Sequence, residues 1–162
     1  MKIAALKYSK GFTLIELLVV IGILAVLLSI TLIAINPGKQ FSQANDTKRR
    51  SDVNAILNAI NQYAADNQGQ LPGSLTATAC PSTTPCQITG VVGTSNIDLC
   101  PTMVTKYLSA FPRDPLVSGG APISTCDALY DAGYIVSLSS SDNRVTVTAP
   151  QTENGPDISV TR

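Results

Sequence analysis

The sequence predicts an α+β protein with one long N-terminal helix and a small antiparallel sheet. Three patterns support this prediction. Residues 12–35 form an almost uninterrupted apolar run, residues 39–67 place apolar side chains at helical spacing, and residues 133–162 alternate apolar and polar side chains between turns. We therefore expect the apolar half of the helix to protrude and the amphipathic half to pack on the sheet.

The apolar run, residues 12–35, is long enough to cross a membrane. At about 1.5 Å per residue it spans roughly 36 Å as a helix, whereas a bilayer core is ~30 Å thick. Its polar side chains are Thr13, Glu16, Ser29 and Thr31. Three lysines and no acidic residue precede Gly11, so the positive-inside rule places the N-terminus in the cytoplasm and the rest of the chain outside.

Two simpler interpretations of this run are unsatisfactory. A secretory signal peptide has an apolar stretch of about 7–15 residues and a small-residue cleavage site, but this run is longer and no Ala-x-Ala pattern closes it before Asn36. A plain membrane anchor leaves Glu16 unexplained, because an acid in a spanning helix costs up to about 2.5–3.5 kcal/mol and normally has a partner. The sequence therefore predicts a partner for Glu16.

The start of the chain resembles the prepilin signal of type IV pilins and type II secretion pseudopilins. The resemblance lies in a basic leader that ends in Gly11 and is followed by Phe12-Thr13-Leu14-Ile15-Glu16-Leu17-Leu18. It implies a pilin-like fold, cleavage after Gly11 and methylation of the new N-terminus at Phe12 by one membrane peptidase/methyltransferase, and a role for Glu16 in assembly. The implied partners are that enzyme, other pilin subunits, the inner-membrane assembly machinery and, before assembly, membrane lipid.

The chemistry of these residues suits the roles that the resemblance implies. Gly11 has no side chain, so a peptidase can draw the backbone into a narrow site. Cleavage leaves a cationic amine at Phe12, and methylation retains the charge. An amine and a carboxylate are each costly alone in an apolar environment, so Glu16 of one subunit is expected to neutralise the amine of its neighbour and to fix the axial register.

The apolar run ends at Asn36-Pro37-Gly38, where we expect a break in the helix. Pro37 has no N–H and disfavours helical geometry at Asn36, so Asn36 can cap a new helix that begins at Pro37. Inside the run, Gly22 is the one weak point. The amphipathic helix that follows carries one apolar stripe: Val53, Ile56, Leu57, Ile60, Tyr63 and Ala64.

These boundaries divide the precursor into three parts. They are a leader at 1–11, a transmembrane and filament-core helix at 12–35, and an extracytoplasmic head at 36–162. Within the head we expect an amphipathic helix at about 39–67, a loop region at 71–126 that is rich in Ser, Thr, Pro and Gly, and a β-meander at about 133–162. A short helix within 100–108 is compatible with the pattern.

A turn precedes the predicted sheet. Residues 111–115 contain Pro112-Arg113-Asp114-Pro115, which resembles the Pro-x-Asp-Pro turn of pseudopilins and related pilins. Arg113 and Asp114 are therefore expected to shape this turn.

The densest charge cluster lies at residues 46–52 and has two interpretations. One is a patch that binds DNA or another surface, and the other is a solvated helix face or a contact between subunits. Asp46 and Arg49 are three residues apart, as are Arg49 and Asp52, so these side chains can neutralise each other along the helix. Mixed charges of this kind favour the solvated face.

The four cysteines, Cys80, Cys86, Cys100 and Cys126, suggest two disulfides formed in an oxidising compartment. Free buried thiols and a zinc site are the alternatives, but the Cys80-x5-Cys86 spacing is wide for zinc and the chain has no His. The prolines between Cys80 and Cys86 favour a compact turn that a disulfide can close, and Cys100–Cys126 would then tie the loop region to the sheet. All three connectivities remain open.

The composition argues against catalysis and nucleic-acid binding. His is absent, which removes the commonest general base, and no nucleophile motif or paired buried acids are evident. Asp127, Asp131 and Asp142 are scattered without a ligand array, so we predict neither metal nor other cofactor. Without the leader the chain is mildly acidic, which disfavours phosphate binding. We therefore expect a non-enzymatic protein.

The sequence thus predicts a structural subunit of a type IV pilus-like or pseudopilus filament. It would be a single-pass cytoplasmic membrane protein first and part of a cell-surface or periplasmic filament later. The alternative is a minor pilin that acts as a surface-binding adhesin or DNA-uptake receptor, with the activity in the head. A retractile pilus, a secretion pseudopilus and a DNA-uptake fibre are equally compatible with the signal.

Overall fold

The computed structural model describes residues 11–73, 75–91, 93–126 and 129–162. They form two compact units, one that ends at Gln40 and one, the C-terminal unit, that runs from Phe41 to Arg162. The elements are α1 (Leu14–Ile35), α2 (Pro37–Asp66), β1 (Cys86–Thr89), β2 (Asn96–Ile97), α3 (Cys100–Met103), a short 3-10 helix (Ser118–Gly120), β3 (Asp131–Leu138), β4 (Val145–Ala149) and β5 (Ile158–Thr161). The predicted α+β class is confirmed. Of the predicted leader, the described residues include only Gly11.

The helix breaks where the sequence predicted a break. Asn36 ends α1 in the left-handed conformation, with φ 47° and ψ 78°, and α2 begins at Pro37. The Asn36 side chain accepts a hydrogen bond from the Lys39 N–H at 3.4 Å, as an N-cap does. Pro37 fits the first helical position because its missing N–H would have no partner there.

α2 packs its apolar stripe on the sheet. Val53, Ile56, Leu57 and Ile60 of the predicted stripe are buried, whereas Tyr63 at its far end is partly buried. They join buried residues of the sheet, α3 and the loops in one core. Outside α2, its largest fully buried members are Tyr134, Phe111, Ile88, Leu99, Met103, Val136 and Val147. An amphipathic helix over one sheet face is therefore the arrangement that buries both apolar surfaces.

The sheet has five strands in the order β2-β1-β3-β4-β5. β3, β4 and β5 form the antiparallel meander that the sequence predicted. β1 adds to β3 antiparallel, but β2 pairs with β1 in parallel, so the sheet is mixed and not purely antiparallel. The two extra strands lie in the segment that we described as a loop region. They are four and two residues long, too short for alternation to stand out among Ser, Thr and Pro.

Both disulfides lie in the C-terminal unit. Cys80 and Cys86 are bonded with their Cα atoms 5.1 Å apart, and Cys100 and Cys126 with theirs 5.5 Å apart. The first bond closes a small loop at the sheet, because Cys86 begins β1 and the Cys80 carbonyl accepts the Leu138 N–H at 2.8 Å. The second ties α3 to a segment beyond the turn at 112–115.

The charge cluster at residues 46–52 is not a solvated helix face, which corrects the interpretation that the sequence favoured. Arg49 is fully buried, and its Nε and Nη2 atoms donate to the two carboxylate oxygens of Asp114 at 2.7 and 3.1 Å. Nη1 donates to Asp46 at 2.8 Å and to Glu153 at 3.2 Å. The hydrogen bonds to Asp114 outweigh burial and raise the pKa of Arg49, so the buried guanidinium stays charged.

Asp46 joins α2 to the loop between β4 and β5. Its carboxylate accepts the backbone N–H of Glu153 at 3.1 Å and the backbone and side-chain N–H groups of Asn154, both at 3.0 Å. Burial alone would raise the pKa of Asp46, but the hydrogen bonds from Asn154, Glu153 and Arg49 together lower it. The hydrogen bond from Asn45 is the main cause that lowers the pKa of Glu153.

Two further charges of the cluster, Lys48 and Asp52, also face the rest of the C-terminal unit, whereas Arg50 is exposed. Lys48 donates from Nζ to the carbonyls of Arg113 at 2.9 Å and Gly120 at 3.2 Å. The Tyr134 hydroxyl donates to Asp52 at 2.8 Å, and burial raises the pKa of that carboxyl. Residues 46–52 of α2 are therefore held to the rest of the unit by polar contacts, and residues 53–60 by apolar ones.

The turn at 112–115 places Asp114 for its contact with α2. The Asp114 N–H donates to the Ala132 carbonyl at 2.9 Å, and its side chain accepts the Leu116 N–H at 2.9 Å. Gly133 packs against it with φ 76°, and a Cβ on Gly133 would lie 2.6 Å from the Asp114 Cβ. Asp114 therefore does shape the turn, and it also binds the buried arginine.

Candidate processing and assembly site

The bond between Gly11 and Phe12 lies outside any helix. Residues 11–13 have no regular secondary structure and are exposed, and Phe12 exposes 86% of its surface. A Cβ added to Gly11 would meet no atom within 4 Å. The bond at which the sequence predicts cleavage is therefore in a non-helical segment directly before α1, which is the state in which a peptide bond can enter a narrow site.

Thr13 fixes the residue at which α1 begins. It is the N-cap, with extended backbone angles of φ −82° and ψ 151°. Its hydroxyl accepts the Glu16 N–H at 3.3 Å, and the Glu16 carboxylate accepts the Thr13 N–H at 2.9 Å. This reciprocal pair is a capping box, which satisfies two N–H groups that a helix start otherwise leaves without partners. The Thr-x-x-Glu spacing indicates such a box in the sequence, although we did not predict it there.

Glu16 is the acidic side chain of the apolar helix. The Thr13 hydroxyl also donates to it, at 2.8 Å, and both Thr13 donors converge on the same oxygen, Oε2. Within the described residues, Oε1 takes no hydrogen bond from the chain. The Glu16 carboxylate can therefore stay in the capping box and still accept a cation from another molecule through its second oxygen.

The rest of α1 presents an apolar surface on all sides. All residues from Leu14 to Ile35 are exposed, and none is buried. The hydroxyls of Ser29 and Thr31 donate to the carbonyls of Ala25 at 2.8 Å and Leu28 at 2.9 Å, so their polar groups are satisfied within the helix. In the described part of the chain, this is the one helix long and apolar enough to cross a membrane.

Three of the predicted site residues belong to one compact unit and the cysteines to the other. Gly11, Phe12 and Glu16 lie within one short stretch at the start of α1, whereas the four cysteines belong to the C-terminal unit. Of the acids considered as metal ligands, Asp127 lies outside the described residues. Among the described residues, no three His, Cys, Asp or Glu side chains are grouped so that they could hold a metal ion.

The comparison with protein families matches the start of the chain. Residues 6–32 match the family model described as the prokaryotic N-terminal methylation motif, a range that contains Gly11, Phe12 and Glu16. No curated protein and no solved structure matched the chain. The motif implies processing by a prepilin peptidase and assembly with other pilin subunits, which are structural and not catalytic proteins. The chain therefore carries the prepilin signal of the type IV pilins and pseudopilins.

Proposed function

We propose that this chain is a structural subunit of a type IV pilus-like or pseudopilus filament. It is made as a prepilin, cleaved after Gly11, methylated at Phe12 and polymerised through α1. One observation carries the proposal: a helix that is apolar on every side has a carboxylate, that of Glu16, four residues after the amine that cleavage would create. The capping box alone would be served as well by glutamine, so a helix that served only as an anchor leaves the negative charge of Glu16 unexplained.

Before assembly, α1 holds the precursor in the cytoplasmic membrane. The leader, residues 1–11, carries three lysines and stays on the cytoplasmic side, where the peptidase removes it. Residues 36–162 form the head outside the membrane. An oxidising compartment on that side accounts for both disulfides of the C-terminal unit.

During assembly, α1 leaves lipid and packs against the helices of neighbouring subunits. Lipid is as apolar as the filament core, so burial of apolar surface does not by itself favour this transfer. Side-chain packing and polar contacts decide it instead. The cationic N-terminus at Phe12 and the Oε1 atom of Glu16 on a neighbour form the contact that favours one axial register over all others.

The processing step is tested by replacing Gly11 with Leu in cells that assemble the filament. We expect uncut precursor in the membrane, because the side chain no longer fits a site that accepts glycine. Gly22→Leu is the matched control, since it changes a glycine of α1 beyond the capping box and should leave cleavage unchanged. The measurement is the mass of the mature N-terminus. Normal cleavage of the Gly11→Leu chain would refute the assignment.

The assembly step is tested by comparing Glu16→Gln with Glu16→Ala. Glutamine can still accept the Thr13 N–H in the capping box, but it carries no charge. Both variants should be cleaved and both should fail to assemble, because each lacks the negative charge. Filament yield is measured in cells that lack the wild-type chain. Wild-type yield from Glu16→Gln would show that capping, and not charge pairing, is the role of this residue.

A further inference from the structure

The sheet of the C-terminal unit has a free edge at β5. β5 is the last strand of the sheet among the described residues and pairs with β4 alone. Val145 and Arg162 exchange both of their backbone hydrogen bonds, at 2.8 and 3.0 Å. Because such pairs alternate along an antiparallel ladder, Val160 also bonds to β4, whereas the N–H and C=O groups of Ser159 and Thr161 point away from it.

A groove of about 410 Å³ runs between α2 and β5. Arg50 and Asn54, one helical turn apart, line the α2 side, and the partly buried Ile158 and Val160 line the strand side. If a further strand were paired with β5, those of its side chains that face α2 would enter this groove. The edge therefore offers an incoming strand both backbone partners and space for side chains.

Apart from its short length of four residues, β5 lacks the features that usually protect an edge strand. Residues 158–161 contain neither Lys nor Pro, and the register with β4 is regular, without a bulge. Natural proteins commonly use such features to keep exposed edges from pairing with other chains. An edge without them, in a protein with a prepilin signal, is available for pairing.

We propose that β5 pairs with an extended segment of a second copy of this chain in the assembled filament. The proposal rests on the function proposed above and adds a contact between heads. The short length of the β5 edge indicates which kind of partner can pair with it. The two outward-facing residues offer at most about four backbone hydrogen bonds, too few to offset the entropy that a free partner loses on association. A neighbour that α1 already holds in the filament loses far less, so a short edge suffices.

The test is amide hydrogen exchange of the processed, unmodified chain, in filaments and as subunits in detergent micelles. In subunits the N–H groups of Ser159 and Thr161 should exchange fast. In filaments the exchange of these two groups should be slower by at least about tenfold. The N–H of Val160, which bonds to β4, is the internal control and should be protected in both states. Equally fast exchange of Ser159 and Thr161 in filaments would overturn the proposal and leave the proposed function standing. A wild-type chain that forms no filaments would overturn both.

Ser159→Pro gives an independent result. Proline removes the outward N–H and blocks the edge, but it leaves the bonds to β4 intact because those come from the neighbouring residues. Compared with Ser159→Ala, which keeps the N–H, we expect about tenfold fewer filaments at unchanged cleavage. Equal yields from the two variants would contradict the pairing. The exchange measurement uses the natural sequence, so it decides the proposal even where the proline variant misfolds.

Discussion

Replacement of Arg49 by Met should strongly destabilise the C-terminal unit. Met keeps much of the volume but leaves Asp114, whose side chain is fully buried, without its cation. Removing one partner of a buried ion pair typically costs about 3–5 kcal/mol. Asp46 contributes less to this loss, because it keeps the N–H donors of Glu153 and Asn154. The larger part of the cost is therefore that of the stranded Asp114 carboxylate.

The assay is urea unfolding of the processed chain in detergent micelles, followed by near-ultraviolet circular dichroism. The chain has no Trp, and once the leader with Tyr8 is removed its tyrosines all lie in the C-terminal unit, so the signal reports that unit. With a denaturant slope of about 2 kcal/mol per M, the midpoint should fall by roughly 1.5–2.5 M. Arg50→Met is the matched control, since the adjacent arginine is exposed and its loss should cost less than about 0.5 kcal/mol.

A second substitution separates charge from packing. In the double variant Arg49→Met, Asp114→Asn the buried side chain at 114 is neutral, so the double variant should be more stable than Arg49→Met alone. The reasoning is refuted if Arg49→Met unfolds at the same urea concentration as Arg50→Met. It is also refuted if Asp114→Asn further destabilises the Arg49→Met chain, because the carboxylate would then not be the source of the loss.

Two further predictions concern the same unit. Loop entropy predicts that the free energy of unfolding falls by about 3.5 kcal/mol when both cysteines of Cys100–Cys126 are replaced by alanine, and by about 2.2 kcal/mol for Cys80–Cys86, since the bonds span 26 and 6 positions. Equal losses of stability for the two variants in urea unfolding would contradict this ranking. The pKa of Asp46 is lower in the folded than in the unfolded chain, so its stabilisation is present above its ordinary pKa of 3.8 and is lost as the pH falls through the lowered value. The stability difference between wild type and Asp46→Asn should therefore shrink below about pH 4, and a constant difference down to pH 2 would disprove this account.

Secondary-structure elements that depend only on neighbouring residues were predictable from the sequence. The α1 helix follows from a long apolar run, and the break at Asn36 follows from Pro37, because both depend on neighbouring residues alone. β3 and β4 were likewise visible as alternation between turn residues.

Features that depend on distant residues were not predictable. The local spacing of Asp46 and Arg49 suggested mutual neutralisation in solvent, but burial of Arg49 depends on Asp114, which lies 65 positions further along the chain. The strand β1 also depends on residues that are distant in the sequence. Its four residues are too few to show an alternating pattern, and they form a strand because β3 offers an edge and the disulfide to Cys80 holds its start.

The position and the type of Glu16 have different causes. Its position, three residues after Thr13, is what a capping box requires, and a glutamine there would serve the box as well. Capping therefore does not explain why the residue is an acid. An ionised acid on a helix that is apolar on all sides is costly in lipid unless a cation lies beside it, and without a cation it takes up a proton. If the chain is cleaved after Gly11, as proposed above, the new amine at Phe12 would supply such a cation and would account for glutamate rather than glutamine at this position.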